Sequence, residues 1–368
     1  MPLPATHRGR PRPPRRRPHR PHPASGRPTR TDSLRPAHLA RDHQRIRKED
    51  AMSLRESVWN TAPTSAPAQR TDRYVPGSNT HPAKMLPAIA AHAIRTYTQP
   101  GDLVLDPMCG IGTTLVEAIH LGRHALGVEY ESRWARLAHA NVAHTTQHTQ
   151  RGSGQVVCGD SRQLTQLIDT NYRGKIALVV TSPPYGRSVH GHVRSTRETG
   201  DHGVVKKHYR YSRDPHNLAH VSTDQLLDAF TQILTQCHTM LRPGGTAVVT
   251  TRPWRTRGEL IDLPSAVLAA GQAAGLIPAE RCVALLAGIR NNRLIARPSF
   301  FQMKNVRDAR RQGIPLHLVQ HEDVLVLTRP QHSNVAPRPT ACTGRTQRPL
   351  QRTTTRCSYR QTDRRSNR

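Results

Sequence analysis

Apolar residues follow two spacings between residues 71 and 330. Short unbroken apolar runs are typical of buried strands, and apolar residues three or four positions apart are typical of helices. The runs predict seven strands, at 102–106, 124–129, 155–158, 176–181, 246–251, near 282–286 and at 323–327. The helical spacing predicts helices at 86–97, 115–119, 134–142, 226–241 and 259–274. Strands that alternate with helices predict an α/β fold with a mostly parallel sheet and helices on both faces.

The two ends of the chain have a different composition. Residues 1–31 contain nine Arg, nine Pro and no acidic residue, and 331–368 contain a single acidic residue, Asp363. Such segments bury too little apolar surface to offset the entropy of ordering. We therefore expect disordered basic tails at 1–70 and 331–368 around a domain at 71–330. Met52 is an alternative start of translation, in which case 1–51 would be an annotation extension.

Charge and cysteine usage narrow the class of protein. The chain of 368 residues has a net charge of +30, of which +11 lies in 71–330. This favours nucleic acid as a partner, although GC-rich coding alone would also produce Arg/Pro-rich tails. The six cysteines form no Cys-x-x-Cys pair, which argues against zinc or a disulfide framework. No apolar run has the length of a membrane span or of a secretion signal. We expect a cytoplasmic protein with no metal and no membrane partner.

A glycine-containing turn follows the first predicted strand. It reads Asp106-Pro107-Met108-Cys109-Gly110-Ile111-Gly112-Thr113-Thr114 and opens a helix. Such a turn directs backbone N–H groups and a helix N-terminus at a polar ligand. It lacks the Lys-Ser/Thr of a P-loop and the third small residue of a dinucleotide fingerprint. A tight turn with no ligand remains the alternative interpretation.

Two carboxylates and a lysine accompany this turn. Glu129 ends the second strand, where it can accept both ribose hydroxyls of a nucleoside. Asp160 follows the third strand and can accept a hydrogen bond from an adenine amine. Lys84 closes an upstream His-Pro-Ala-Lys segment.

A second motif, Ser182-Pro183-Pro184-Tyr185, follows the fourth strand. Two prolines fix the backbone, so the Ser182 hydroxyl and the Pro183 carbonyl are placed in advance as acceptors for an exocyclic amine. The Tyr185 ring can stack on a flat base. A Pro-Pro turn with a packed tyrosine is the alternative. Cys109 lies inside the glycine turn, which indicates packing rather than a nucleophile.

Together these motifs resemble the amino-methylating DNA methyltransferases, which modify N4 of cytosine or N6 of adenine. The resemblance implies S-adenosyl-L-methionine as cofactor and a Rossmann-like, seven-stranded class I sheet whose seventh strand lies antiparallel between strands five and six. It implies that Ser182, Pro183, Pro184 and Tyr185 are catalytic. The implied cofactor-binding residues are Lys84, Asp106, Pro107, Gly110, Gly112, Thr113, Thr114, Glu129 and Asp160.

The first residue of the tetrapeptide indicates the base within that family. Serine is typical of cytosine-N4 enzymes, so N4 of cytosine in DNA is the predicted target and N6 of adenine the alternative. The motif order departs from the permuted order common in the family, which weakens this inference. An RNA guanine-N2 methyltransferase is the runner-up, and a non-enzymatic nucleic-acid-binding protein is the least favoured.

Two basic segments, 186–222 and 287–313, interleave basic and aromatic residues without helical spacing. That composition suits contact with a phosphate backbone and stacking on bases, although a solvated loop would look the same. The nucleic-acid-binding candidates are Arg187, Arg194, Lys206, Lys207, Tyr209, Arg290 and Arg293. DNA is the expected partner and RNA the alternative.

We expect deletion of residues 1–51 to weaken DNA binding and to leave methylation intact, because the tail supplies charge while the domain carries the chemistry. DNA affinity measured across a salt series should fall steeply for the full chain and less steeply for the shortened one. Loss of methylation in a shortened chain that still folds would contradict this prediction.

Overall fold

The computed structural model describes residues 55–184, 217–256, 259–298 and 300–331, the backbone strands 192–195 and 204–207, and residues 212 and 214. All of these except Arg55 belong to one compact unit that begins at Glu56. Of the predicted tails at 1–70 and 331–368, residues 1–54 and 332–368 lie outside the described residues.

Strands occur along the whole sequence of this unit. They are β1 Val58–Trp59, β2 Leu103–Asp106, β3 His124–Glu129, β4 Ser153–Cys158, β5 Ile176–Thr181, β6 His192–Ser195, β7 Val204–Lys207, β8 Leu241–Thr251, β9 Trp254–Thr256, β10 Glu259–Ile261, β11 Ile277–Leu285, β12 Gly288–Arg290, β13 Arg293–Ile295 and β14 His321–Thr328. The helices are α1 Pro87–Tyr97, α2 Thr113–His120, α3 Ser132–Thr149, α4 Leu164–Leu167, α5 Thr223–Met240, α6 Leu263–Ala273 and α7 Phe300–Arg311.

Eight strands form the central sheet, in the order β1-β11-β14-β8-β5-β2-β3-β4. Strands β8, β5, β2, β3 and β4 are parallel, whereas β14 is antiparallel to both of its neighbours, β8 and β11. Strand β14 is the seventh of the predicted strands and lies between the fifth and the sixth. The class I methyltransferase fold is therefore confirmed, with β1 as one added strand at the edge.

Helices cover both faces of the sheet because successive strand residues point to opposite sides. On one face, Val104, Val180 and Val248 share a core with α1, α2 and α3. On the other face, Leu105 and Val249 share a core with α5 and α6. Each central strand is therefore buried on both sides, which is why it reads as an unbroken apolar run.

The parallel strands all end at the same edge of the sheet, here called the carboxyl edge. Asp106, Glu129, Cys158 and Thr181 are the last residues of β2, β3, β4 and β5. Strand β11 runs in the same direction as β8, so it also ends at this edge, and β14 begins there. Every predicted motif that follows a strand therefore lies at the carboxyl edge, where open α/β sheets bind their ligands.

The domain begins earlier than the predicted boundary at residue 71. Strand β1 pairs in parallel with β11, with Val58 opposite Val283 and Trp59 opposite Ala284. The Trp59 side chain is 1% exposed and stacks on His92 at 4.3 Å between ring centroids. A strand of two residues has no periodicity to detect, so its composition alone placed it in the tail.

Two predicted segments are also more regular than expected. The basic segment 287–313 contains the hairpin β12–β13 and helix α7. The predicted helix at 259–274 starts at Leu263, because residues 259–261 form β10 against β9.

We expect Trp59→Ala to lower the free energy of unfolding by about 3–5 kcal/mol, the range for truncating a buried aromatic residue. Urea denaturation followed by circular dichroism measures the change. The neighbouring Val58, half exposed on the same strand, gives the matched control Val58→Ala, for which the change should be small. Equal stability of Trp59→Ala and the unsubstituted protein would show that β1 adds nothing to the fold.

Candidate cofactor and base site

The turn after β2 requires glycine at two positions. Gly110 and Gly112 have φ values of 55° and 81°, in the left-handed region that side chains rarely adopt. A Cβ on Gly110 would also lie 3.2 Å from Nε2 of His81. The turn is fixed to the sheet by the Cys109 N–H, which donates to the Val128 carbonyl at 2.9 Å. The backbone therefore approaches the carboxyl edge closely, as a ligand-binding turn must.

Asp106 closes the turn from the inside. Its buried carboxylate accepts hydrogen bonds from Oγ1 of Thr114 at 2.7 Å and from the Met108 N–H at 3.1 Å. Burial raises the pKa of Asp106 to about 6 despite these two donors. Asp106 thus joins the end of β2 to the start of α2.

Glu129 joins the end of β3 to the same turn. Its Oε2 accepts from the Gly110 N–H at 2.9 Å, and its Oε1 accepts from the Glu131 N–H at 2.8 Å. Burial raises the pKa of Glu129 to about 7. A carboxylate oxygen can accept two hydrogen bonds and each of these accepts one, so both keep capacity for a ribose hydroxyl.

An upstream strap, residues 73–85, lies against the glycine turn. Asn141 of α3, which is fully buried, connects the two. Its Oδ1 accepts from the Val75 N–H at 2.8 Å and from Ser78 Oγ at 3.1 Å, and its Nδ2 donates to the Ile111 carbonyl at 2.9 Å. Asn141 is not among the residues predicted from the sequence. Its signal is an amide within the apolar stripe of α3, between Ala138 and Val142.

Lys84 holds the far end of the strap. Its Nζ donates to the carbonyls of Asn79 and His81, at 3.2 and 2.5 Å. Burial, with the nearby Arg70 charge, lowers the pKa of Lys84 to about 8. The His81 ring makes an edge contact with Trp134 at 4.6 Å. The strap therefore reaches the turn through packing at His81 and through the amide of Asn141.

A cavity of about 360 Å³ opens at the carboxyl edge between the strap, the glycine turn and the Ser-Pro-Pro segment. All but one of the described residues predicted to bind cofactor or base line it; Gly112 instead packs against Ala138 of α3. The volume is in the range of small-molecule and cofactor sites. Glycine cradle, buried carboxylates and cavity together fit a nucleoside-containing cofactor.

Asp160 lines the cavity but is already engaged. Its carboxylate forms an ion pair with Arg162, at 2.9 Å to Nε and 2.5 Å to Nη2. The neighbouring Ser161 hydroxyl donates to the Pro107 carbonyl, which connects the loop after β4 to the glycine turn. An adenine amine at Asp160 would share that carboxylate with Arg162.

The base-binding motif is described in part. Ser182 and Pro184 are half-buried, Pro183 is buried, and all three line the cavity directly after β5. Tyr185 lies outside the described residues. Because β5 and β2 are neighbours in the sheet, the Ser-Pro-Pro segment and the glycine turn meet at adjacent strand ends.

The nucleic-acid candidates divide in the same way. Arg187 and Tyr209 lie outside the described residues. Arg194 belongs to β6, and Lys206 and Lys207 belong to β7, two strands described only by their antiparallel backbone. Arg290 and Arg293 are exposed at the tip of the hairpin β12–β13.

Two further contacts, which the sequence did not indicate, form the wall beside β3. The Tyr130 hydroxyl donates to Oδ2 of Asp214 at 2.6 Å, and Nδ2 of Asn217 donates to Oε1 of Glu131 at 3.0 Å. Tyr130 and Asn217 both line the cavity. The end of β3 is thus tied to the segment that precedes α5.

Other chemistries find little support at this site. Burial raises the pKa of the Cys109 thiol well above its ordinary value, so it is no ready nucleophile. The part of the chain that the structure describes holds no group of three or more His, Cys, Asp or Glu residues suited to a metal ion. Within the same part, no helix is both long and apolar enough to cross a membrane.

Comparison with known proteins supports the resemblance that the motifs indicate. Residues 19–140 match the family model described as N6_N4_Mtase, DNA methylase. The chain resembles this family over 122 of its 368 residues, about a third of its length. Its cofactor is S-adenosyl-L-methionine, and the predicted resemblance to the amino-methylating methyltransferases is confirmed. The match includes the strap, the glycine turn and Glu129, and it ends before Ser182.

Two curated relatives match part of the chain. The tRNA (guanine(10)-N2)-dimethyltransferases of Methanothermobacter thermautotrophicus and Methanocaldococcus jannaschii are each 30% identical, over 109 and 110 residues. Each match covers 29% of this chain and 30% of the relative.

Among solved structures, a TehB-like SAM-dependent methyltransferase from Corynebacterium glutamicum is 14% identical over 80% of this chain and 100% of that chain, with a TM-score of 0.33. A methyltransferase from Pyrococcus furiosus is 10% identical over 79% of this chain and 99% of that chain, with a TM-score of 0.39. Both scores are low, so the fold assignment rests on the sheet order.

We expect cofactor affinity to fall as the pH drops from 8 to 6, because protonation of Glu129 removes an acceptor for the ribose hydroxyls. Isothermal titration with S-adenosylhomocysteine at several pH values measures the effect. Glu129→Ala should weaken binding about 10- to 100-fold at pH 8, the equivalent of one hydrogen bond to a charged group, and should lose the pH dependence near 7. Glu259→Ala, at an exposed glutamate of β10, is the control. Full affinity in Glu129→Ala would remove Glu129 from the site.

The same pKa shift has the opposite effect on the stability of the cofactor-free protein. Glu129 titrates near 7 in the fold against 4.5 as its ordinary value, so the folded state holds the proton more tightly. Its contribution to stability is present below about pH 4.5 and is lost as the pH rises through 7.

Proposed function

We propose that this protein transfers a methyl group from S-adenosyl-L-methionine to an exocyclic amine of a nucleobase, specifically N4 of cytosine in DNA. The observation that carries the proposal is the juxtaposition of two motifs in one cavity. The glycine turn after β2 and the Ser182-Pro183-Pro184 segment after β5 line it together, at adjacent strand ends. One motif suits a nucleoside-containing cofactor and the other suits a planar amine.

The chain's own residues would hold the cofactor along the carboxyl edge. Gly110 lets the backbone approach it, Glu129 would accept the ribose hydroxyls, and Asp160 would accept the adenine amine. Lys84, with the strap, would lie near the methionine end, as the family resemblance implies. When bound, S-adenosylmethionine supplies an electrophilic methyl group on a sulfonium.

The other side of the cavity would prepare the amine. An exocyclic amine is a weak nucleophile because its lone pair is delocalised into the ring. Hydrogen bonds from its two N–H groups to the Ser182 hydroxyl and the Pro183 carbonyl would favour a tetrahedral nitrogen with its lone pair free. Pro183 and Pro184 fix these acceptors in advance, so little reorganisation accompanies the reaction. Tyr185 would stack on the ring, and the amine's proton can pass to solvent after transfer.

This geometry sets a condition on the substrate. The acceptors lie in a cavity that a paired base cannot enter, so the target must be unpaired or rotated out of the helix. A positively charged domain would hold the surrounding phosphates. The match to a DNA methylase model favours DNA as the polymer.

A second candidate function has its own support. The two curated relatives are named tRNA guanine-N2 dimethyltransferases, and guanine N2 is also an exocyclic amine. Ser182 argues against this function, because the corresponding motif of the guanine-N2 type begins with Asp. N6 of adenine in DNA is the alternative within the DNA-modifying family.

We expect label from isotopically marked S-adenosylmethionine to appear in N4-methylcytosine when the protein is incubated with unmodified genomic DNA, and not in tRNA. Nucleoside mass spectrometry identifies the product, and sequencing of the modified DNA locates the site. Label in N6-methyladenine would assign adenine as the target base in place of cytosine. Label in tRNA guanine alone would replace the proposal with the second candidate function.

Two substitutions test whether the tetrapeptide holds the target base. Ser182→Ala should slow transfer about 100-fold while cofactor affinity is unchanged, because it removes a placed hydrogen-bond partner of the reacting amine. Tyr185→Ala should likewise reduce turnover far more than cofactor affinity. Ser57→Ala, at an exposed serine before β1, is the control. Undiminished turnover in both variants would show that the tetrapeptide does not hold the base.

A further inference from the structure

A short hairpin follows the end of β11 at the carboxyl edge. Strands β12 and β13 are antiparallel, with Ile289 opposite Leu294 and Arg290 opposite Arg293. Asn291 and Asn292 connect them with φ values of 48° and 56°. Two consecutive left-handed residues are the mark of a tight hairpin turn whose twist matches that of its strands.

The base of this hairpin is fixed to the domain. Ala287 and Gly288 are buried, and a Cβ on Gly288 would lie 3.3 Å from the Ala62 carbonyl oxygen. Nη2 of Arg297, beyond the second strand, donates to the Pro63 carbonyl at 3.0 Å. The base of the hairpin is therefore held against residues 62 and 63 of the domain.

One side of the hairpin is apolar and faces solvent. Ile289 and Leu294 form a cross-strand pair, so their side chains share a side, and they are 55% and 52% exposed. Leaving apolar area in water forgoes about 25 cal/mol for each Å² that could be buried. The pair is therefore apolar area that contact with a partner could bury.

The other side carries two arginines in direct opposition. Arg290 and Arg293 face each other across the strands, and like charges at such a position are destabilising. Neither arginine forms an ion pair with any residue that the structure describes. Since a polyanion would offset this repulsion, the pair points to phosphates as its partner.

The position of the hairpin relates it to the cavity. It lies between β11, which ends at the carboxyl edge, and β14, which begins there. Glu322, the second residue of β14, lines the cavity and pairs with Ala284 of β11. Helix α7, on the same connection, adds exposed basic residues: Lys304, Arg307, Arg310 and Arg311.

We infer that this hairpin is a wedge that opens duplex DNA beside the target base. Arg290 and Arg293 contact phosphates, while Ile289 and Leu294 enter the base stack and occupy the space from which the target has rotated. Aliphatic side chains inserted between base steps are a general means of unstacking a duplex. The inference rests on the proposed function, because it takes duplex DNA as the substrate.

The test compares two DNA duplexes that contain the site located by sequencing. In one the target base is paired, and in the other it faces an abasic position and needs no help to leave the stack. The full chain is compared with a double variant, Ile289→Ser with Leu294→Ser. The control is Val58→Ser with Ile277→Ser, which replaces two similarly exposed apolar residues, on β1 and at the start of β11, the end of the strand away from the carboxyl edge.

We expect the Ile289/Leu294 variant to methylate the paired duplex at least roughly tenfold more slowly and the abasic duplex at nearly the normal rate, since unstacking is the step it loses. Cofactor affinity and melting temperature should match those of the control. An equal loss on both duplexes, or no loss, would overturn the wedge while leaving the proposed function intact.

Two other outcomes are informative. The wild-type protein could be a dimer, the Ile289/Leu294 variant a monomer, and the loss of activity equal on the two duplexes. That result would assign the apolar pair to contact with a second copy of this chain and overturn the wedge. Failure of the wild-type protein to methylate either duplex would overturn the proposed function together with the wedge.

Discussion

The site depends on the burial of two carboxylates, Asp106 and Glu129, at the ends of neighbouring strands. Burial of charge is costly unless hydrogen bonds offset it, and here the donors come mainly from the turn itself. The Gly110 N–H reaches Glu129 and the Met108 N–H reaches Asp106. These bonds hold the turn in a left-handed conformation that only glycine adopts easily. The same two carboxylates that would hold the ligand therefore also shape the loop around it.

A second set of hydrogen bonds joins the strap to the glycine turn. Asn141, which is fully buried, accepts two hydrogen bonds from the strap and donates one to the Ile111 carbonyl. An apolar residue in its place would leave two buried donors and one carbonyl without partners, which is more costly than the loss of one ordinary hydrogen bond. One amide therefore joins the strap, α3 and the glycine turn, and Lys84 near the end of the strap lines the cavity.

The sequence predicted the parts of this structure that depend on local pattern. Strands β3 and β5 have the predicted bounds, because each is an unbroken apolar run between polar ends. The pattern could not show Trp59, whose partner strand lies more than 200 residues later. Asn141 was missed because its three partners belong to segments distant in sequence. Local periodicity reports which residues are buried, whereas these contacts depend on which buried residues meet.

The sheet and the connections between its strands carry different parts of the site. The sheet positions the turn after β2 and the Ser-Pro-Pro segment after β5 on adjacent strands, so the reacting groups need no long loop to bring them together. The surfaces that could distinguish one nucleic acid from another lie instead on two connections, from β5 to α5 and from β11 to β14. Tyr130 and Asn217 join the first of these to the cofactor cavity, and Glu322 borders the second. Contacts on both connections reach the cavity wall, so under the proposed function the choice of polymer and of base would be made there and not by the sheet.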